Sequence, residues 1–256
     1  MDILKRNQSD TGVLTLTLNR PERKNSIDLP LAGELLEALD SAAENTSVRA
    51  VVITGAGDAF CAGGDLAGEG GGLSLLALMR QISRPALALH RFPKPTLAKV
   101  NGTAAGAGWN LALGCDLIVA SDEARFCQIF ARRALSLDYG GSWLLPRLVG
   151  LHRAKELALL ADWVSAEEAE KLGLVNRVVP AAELDAFSDD WAKRLAQGPP
   201  IALSLSKRML SEASFRSFEE AIDVEATSQV VNITSHDARE GFKAFFEKRA
   251  PKFEGR

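Results

Sequence analysis

Two short glycine-bearing stretches, each set directly behind a run that reads as a buried strand, constrain this chain more than any other feature. The first is DAFCAGGDL (58–66), which follows AVVIT (50–54) and a Gly55-Ala56-Gly57 turn. The second is VNGTAAGAGWNLAL (100–113), which runs from a strand into a helix. Small residues at 104–108 let the backbone approach a ligand closely. The first amides of the helix that follows have no intrahelical acceptor, and the helix dipole adds positive potential there. Two such loops can aim two N–H groups at one oxygen, which is what holding an enolate oxyanion requires. The same pattern also serves phosphate binding or simple close packing, so by itself it leaves those readings open. A dinucleotide site fails on spacing, because residues 106–111 (GAGWNL) lack the third glycine of GxGxxG. There is no GKS or GKT for a P-loop and no GxSxG nucleophile elbow.

Around these loops the pattern is α/β first and helical afterwards. Residues 12–19 (GVLTLTLN) alternate as a half-buried strand does. Asp28 stands where an N-cap belongs, ahead of Leu31, Leu35, Leu36 and Leu39. Residues 63–72 read as loop, a helix is expected from Leu73 to about His90, and Pro93 and Pro95 end it before a strand at 96–100. Further strands are expected at 116–120 and 124–127. Helices follow at 143–149, 154–161, 166–172, 184–197, 201–212, 218–227 and 238–248. Strand–strand–helix units recur in the first half without a fixed sequence period. The break at Gly198-Pro199-Pro200 divides the chain into a core of residues 1–198 and a helical region of 199–256.

Composition removes several functions. A formal charge of −3 offers no basic field for nucleic acid, so an acidic ligand must meet local basic groups. Cys61, Cys115 and Cys127 form no CxxC pair and suit reduced thiols in a cytoplasmic protein. The start, MDILKRNQSDTG, has no apolar signal core, and no stretch approaches the roughly 18 apolar residues of a membrane span. His90, His152 and His236 lie far apart, so no protein-held metal is expected.

The ordered segments LNRPERKNS (18–26), VVITGAGDAFCAGGDL (51–66), KPTLAKVNGTAAGAG (94–108) and DYGGSWLLPRLVG (138–150) resemble the signatures of the enoyl-CoA hydratase/isomerase (crotonase) family. AEEAEKLGLVNRVVP (166–180) and REGFKAFFEKRAPKF (239–253) carry the likeness almost to the end of the chain. Within the family the segments are most similar to the isomerase subgroup of phenylacetate breakdown, including the aspartate ahead of GGSWLLPR. The resemblance implies a spiral of ββα units followed by a helical trimerisation region, assembled as a homotrimer or as a hexamer of two trimers. It implies an acyl-CoA thioester as substrate, with coenzyme A entering only as part of that substrate and no other cofactor.

By the same resemblance the oxyanion hole is the backbone N–H pair of Gly64 and Ala107. CoA is expected to pass Arg23, Lys24 and Ala62, with its adenine end at Phe245 and Lys248, often those of a neighbouring subunit. An aromatic ring can pack on adenine and a lysine can neutralise a phosphate; alternatively Phe245 is a core residue and Lys248 a solvated one. Asn110 and Phe130 match the positions of the two hydratase glutamates and line the substrate site. Neither can exchange a proton near neutral pH, so the two-carboxylate machinery for adding water is absent. Asp138 matches the aspartate of several isomerases, where one carboxylate removes a proton and returns it elsewhere. Apolar neighbours such as Phe130, Leu137 and Trp109 are expected to raise its pKa. The plainer reading is that Asp138 caps the helix starting near Gly140. A dehalogenase branch uses the matching aspartate as nucleophile, but that chemistry wants a water-activating base such as histidine, and none is near in sequence. The chain is thus expected to be an enoyl-CoA isomerase, the alternatives being an enoyl-CoA hydratase of fatty-acid β-oxidation and a non-catalytic acyl-CoA binding protein. Trp109 either lines the acyl pocket or packs in the core.

Overall fold

The computed structural model describes residues 2–65, 72 and 74–256. It opens with a hairpin, β1 (Leu4–Gln8) and β2 (Val13–Leu18), followed by α1 (Leu29–Glu44). Asp28 caps α1 as its position suggests, its carboxylate accepting from Leu31 N at 2.9 Å. Leu31, Leu35 and Leu39 then recur on one buried face.

The next elements repeat a theme. β3 (Ala50–Gly55) and β4 (Ala59–Cys61) precede α2 (Leu75–Ile82) and α3 (Arg84–His90); β5 (Thr96–Val100) and β6 (Thr103–Ala105) precede α4 (Ala107–Leu113); β7 (Leu117–Ser121) and β8 (Arg125–Cys127) precede α5 (Gly141–Leu160). The first strand of each pair joins a six-stranded sheet ordered β1-β2-β3-β5-β7-β10, and the second joins a four-stranded sheet ordered β4-β6-β8-β9. Each ββα unit therefore makes one turn of a spiral with a strand in each sheet. From β2 onward the large sheet is parallel. Its inner strand β3 is buried on both faces, which is why AVVIT reads as a continuous apolar run.

The remaining elements are β9 (Val164–Ser165), α6 (Ala166–Lys171), β10 (Arg177–Val179), α7 (Leu184–Gln197), α8 (Pro200–Glu212), α9 (Phe218–Thr234) and α10 (His236–Glu247). α7 covers the outer face of the large sheet, with Leu184, Ala192 and Ala196 against Val52, Leu97 and Val119. Helices α8 to α10 carry few buried residues, and Phe218, Val230, Ile233, Phe242, Phe245 and Phe246 stand exposed on α9 and α10. They are tied to the core by Lys207 Nζ, 2.8 Å from Asp116, and by Arg49, which donates to the carbonyls of Gly198 and Phe253.

Several expectations need correction. The helix expected from Leu73 to His90 is two helices, because Pro85 at the start of α3 interrupts the ladder at Ser83; Leu73 and most of the glycine loop, 66–71, lie outside the described residues. β1 is an added edge strand whose charged sequence, LKRNQ, hides its pairing with β2. β4 and β6 lie inside the two glycine-bearing segments and are too short to show alternation. The pair of helices expected at 143–149 and 154–161 is α5, bent at Gly150 (φ 74°, ψ 164°). Trp109 is fully buried, its ring centroid 5.3 Å from that of Phe126, so it packs in the core. Among the described residues no helix is long and apolar enough to cross a membrane.

Candidate active site

The spiral brings the two glycine loops together. β4 and β6 are parallel neighbours in the small sheet, with Cys61 opposite Ala104, so the chain leaves both strands side by side. A methyl group on Gly63 (φ 106°) would come within 3.0 Å of the Ala105 carbonyl oxygen and 3.7 Å of Ala107 N. Gly106 (φ 52°, ψ −126°) makes the turn into α4 in a conformation that L-residues avoid, while its N–H holds the Cys127 carbonyl at 2.9 Å. Ala107 is the first residue of α4, where an amide has no intrahelical acceptor.

A second loop fixes Gly64. Ala62 N donates to Lys24 O, Ile27 N to Gly63 O, and Asp65 N to Ile27 O. In such a parallel bridge the flanking residues make the bonds, so the Gly64 N–H points away from Ile27. The turn at 20–28 is built for this task. Lys24 and Asn25 take left-handed φ values of 48° and 57°, and the buried Asn25 carboxamide accepts from Arg20 N and donates to Ala56 O and Ala59 O. Arg20 bridges Asp28 at 3.0 Å and Asp65 at 2.9 Å, locking the start of α1 to the Gly64 turn. Of the residues expected to meet CoA, Arg23, Lys24 and Ala62 thus share one edge. Lys24 is exposed and pairs with Asp58 at 3.3 Å.

Beyond the loops lies a cavity of about 630 Å³ between α2 and α3 on one side and α4 and the start of α5 on the other. Its walls are mainly apolar, with Leu87, Leu89, Leu111, Trp143 and Leu144. Asp138 is the only carboxylate among the described residues lining it. Burial pushes the Asp138 pKa from 3.8 up to about 6, and its Oδ1 is buried without a hydrogen-bond partner among the described residues. The capping reading fails for the side chain: the N-cap of α5 is Gly140, no side chain caps the helix, and the Asp138 backbone carbonyl accepts from Gly141 N instead.

Asn110 does something the sequence does not reveal. Its Nδ2 donates to the Asp138 carbonyl at 2.9 Å, and its Oδ1 accepts from the buried Gln128 Nε2 at 2.9 Å. Both ends of the carboxamide are therefore spent on holding the aspartate segment, although Asn110 still lines the cavity. A side chain on Gly141 would collide with that carboxamide. Phe130 is buried, with its ring near the Gly106 turn, 3.4 Å from where a methyl on Gly106 would sit.

Phe245 and Lys248 are not brought to this cavity within the chain. Phe245 is 77% exposed, which removes the core alternative for it, and it lines a separate apolar hollow with Phe242, Phe246 and Phe253. Three lining residues, Tyr139, His90 and Trp143, were missed by sequence reasoning. Tyr139 follows Asp138 with φ 51° and a buried hydroxyl. His90 lies edge-on to Trp143 at 5.0 Å, and Arg147 covers the other side of that indole at 4.0 Å. His90 is 48 positions before Asp138 in the numbering yet lines the same cavity; only the fold carries that signal.

The sequence profile described as enoyl-CoA hydratase/isomerase matches residues 8–256. A 1,2-epoxyphenylacetyl-CoA isomerase of Escherichia coli (strain K12) is 39% identical, over 96% of this chain and 97% of its own length. A 2,3-dehydroadipyl-CoA hydratase of the same strain is 35% identical, over 95% and 96%. The crystal structure of an enoyl-CoA hydratase from Bacillus anthracis superposes with a TM-score of 0.95 at 33% identity, covering 100% of both chains.

Proposed function

The chain belongs to the enoyl-CoA hydratase/isomerase family, and from that premise we propose that it is an enoyl-CoA isomerase in which Asp138 carries the proton. The observation that carries this reading is one carboxylate: among the described residues Asp138 is the only acid lining the apolar cavity, half-buried and with its Oδ1 unpartnered. The family likeness puts Asn110 and Phe130, neither of which can carry a proton, at the positions of the two hydratase glutamates. The Asp138 carboxylate takes a proton from C2 of a 3-enoyl thioester. The electrons of that C–H bond move onto the thioester oxygen, giving a dienolate held by the N–H groups of Gly64 and Ala107. Protonated Asp138 then delivers the same proton to C4, and the double bond comes to rest between C2 and C3 with no water consumed. A pKa near 6 suits both halves of the shuttle, since neither the acid nor its conjugate base is strongly favoured near neutral pH.

CoA is assigned to the edge formed by Arg23, Lys24 and Ala62, with Asn110 and Phe130 beside the acyl group. Its adenine end is assigned to Phe245 and Lys248 of a neighbouring subunit. The exposed Phe218, Val230, Ile233, Phe242 and Phe246 support a homotrimer or a dimer of trimers, which sedimentation reads as three or six times 27.5 kDa. Two relatives frame the alternatives. The epoxide isomerase at 39% identity supports a ring-bearing acyl group in the same cavity, and the hydratase at 35% supports water addition. A binder without catalysis is the third outcome. Parallel incubations with 3-hexenoyl-CoA and 2-hexenoyl-CoA, read by chromatography that resolves the two isomers and by mass, separate them. Conversion of the 3-enoyl to the 2-enoyl isomer at unchanged mass assigns the isomerase; a product of the 2-enoyl thioester heavier by one water assigns the hydratase; both ligands recovered unchanged from a stable complex assign the binder.

A further inference from the structure

Resting on the acyl-CoA reading of the cavity, we propose that Trp143 sets the length of acyl chain the site accepts, and that Phe215 and Arg147 hold its indole in place from outside the cavity. The cavity runs from a buried floor to an open rim. Leu89, Leu111 and Tyr139 are buried in its floor, whereas Met79, Leu87 and His90 are exposed at its rim. Trp143 is half-buried between them and is the largest side chain of the wall. It lies in the first turn of α5, five positions after Asp138, so the carboxylate and the indole belong to one wall. A thioester that places its reacting carbons at Asp138 lays its tail along that wall, and the indole is the bulk it meets there.

An unsupported indole would be a poor stop, because a side chain within reach of solvent changes rotamer readily. This one is held by three neighbours. His90, at the end of α3, meets it edge-on with the ring centroids 5.0 Å apart. The Phe215 ring lies at 20° to it, with centroids 6.1 Å apart. The Arg147 guanidinium is 4.0 Å from the indole centroid and 5.4 Å from that of Phe215, so it packs against both rings. A 2.9 Å bond from its Nη1 to the Trp143 carbonyl fixes its direction. Neither Phe215 nor Arg147 lines the cavity, so both touch the indole from behind. Phe215 ends a short 3-10 turn (Ala213–Phe215) between α8 and α9, and through it the helical region reaches a residue of the cavity wall. It is 65% exposed, so its contacts within the chain are this stack rather than a core. Trp143 is thus the specificity-determining residue, and Phe215 and Arg147 are positioning residues that act through it.

Saturated acyl-CoA thioesters from butanoyl to dodecanoyl, which carry no double bond to move, test this by titration calorimetry. Each added methylene that finds room is expected to tighten binding by up to about fourfold, the scale of moving one CH2 out of water. In the wild type the gain is expected to stop at the length that meets the indole. In W143A and W143L it is expected to continue beyond that length at the same rate per methylene. W143L keeps the wall apolar and reads the effect if W143A does not fold. F215A, at an exposed position outside the cavity, is expected to extend the profile as well, and F215Y to restore the wild-type stopping point. The stopping point is a comparison within one variant, so a general loss of affinity does not move it. No stopping point in the wild type, an unmoved one in W143L, an F215A profile equal to that of the wild type, or an F215Y profile equal to that of F215A would each overturn the proposal. Absence of binding by every thioester overturns it together with the acyl-CoA reading. Failure of isomerisation alongside a length profile that moves as expected overturns only the proton chemistry.

Discussion

At the scale of single residues, the site turns on what surrounds one carboxylate. Asp138 was legible as an aspartate ahead of GGSWLLPR, and its raised pKa followed from apolar neighbours. Those neighbours differ from the expected set: Trp109 is in the core, whereas Trp143 and Leu144 line the cavity. The support for Asp138 was not legible, because Asn110 reaches its carbonyl from 28 positions before it and is itself held by Gln128, 10 positions before the aspartate, through bonds made only after folding. A buried carboxylate with a pKa raised to about 6 is a liability when ionised. Its protonated form is favoured by folding, so its stabilising effect is full below the ordinary value of 3.8 and is lost as pH rises through 6. D138N removes the charge at every pH. The variant is expected to be more stable than the wild type at pH 8, by about 1 kcal/mol after allowance for solvent screening. The difference should shrink towards pH 4. Denaturant unfolding at both pH values measures it, and a variant less stable at pH 8 would show the carboxylate to be partnered.

At the scale of elements, the two glycine loops were visible and the strands inside them were not. β4 and β6 are three residues each, and their pairing is what makes the loops converge. The six-residue strand β3 was read correctly because it is buried throughout and its apolar run is continuous, and the five-residue strand β5 because Pro93 and Pro95 mark its start. The split between α2 and α3 was missed because Pro85 is tolerated within the first turn of a new helix. Gly108 shows how closely α4 sits on β4: an added methyl would collide with the Cys61 carbonyl, a backbone atom that cannot swing aside. G108A is therefore expected to lose at least about 2 kcal/mol of stability and to separate the two loops. G33A, at an exposed α1 position with nothing near the added methyl, should be neutral or slightly stabilising. Chemical denaturation of the two variants reads the contrast, and equal stabilities would mean that α4 and β4 are not in contact.

At the scale of the whole molecule, the division into an α/β half and a helical tail was apparent from the sequence pattern, and the spiral came from the family likeness. The placement of α8 to α10 was not, since their apolar residues are exposed and periodicity within one chain says nothing about what covers them. The candidate site is a joint product of distant segments: residues 20–28, 62–65, 106–110 and 138–141 meet only because three ββα turns stack in register. In the proposed reaction this assembly makes an enolate and Asp138 moves its proton. The most direct measurement is deuterium entry at the acyl carbons of 3-hexenoyl-CoA in heavy water, together with turnover, for the wild type and D138N. The wild type is expected to exchange and isomerise, on a pH limb that rises through about 6 as Asp138 ionises. D138N is expected to lose both by about 10³-fold while still binding the thioester. Exchange and turnover undiminished in D138N would contradict the account.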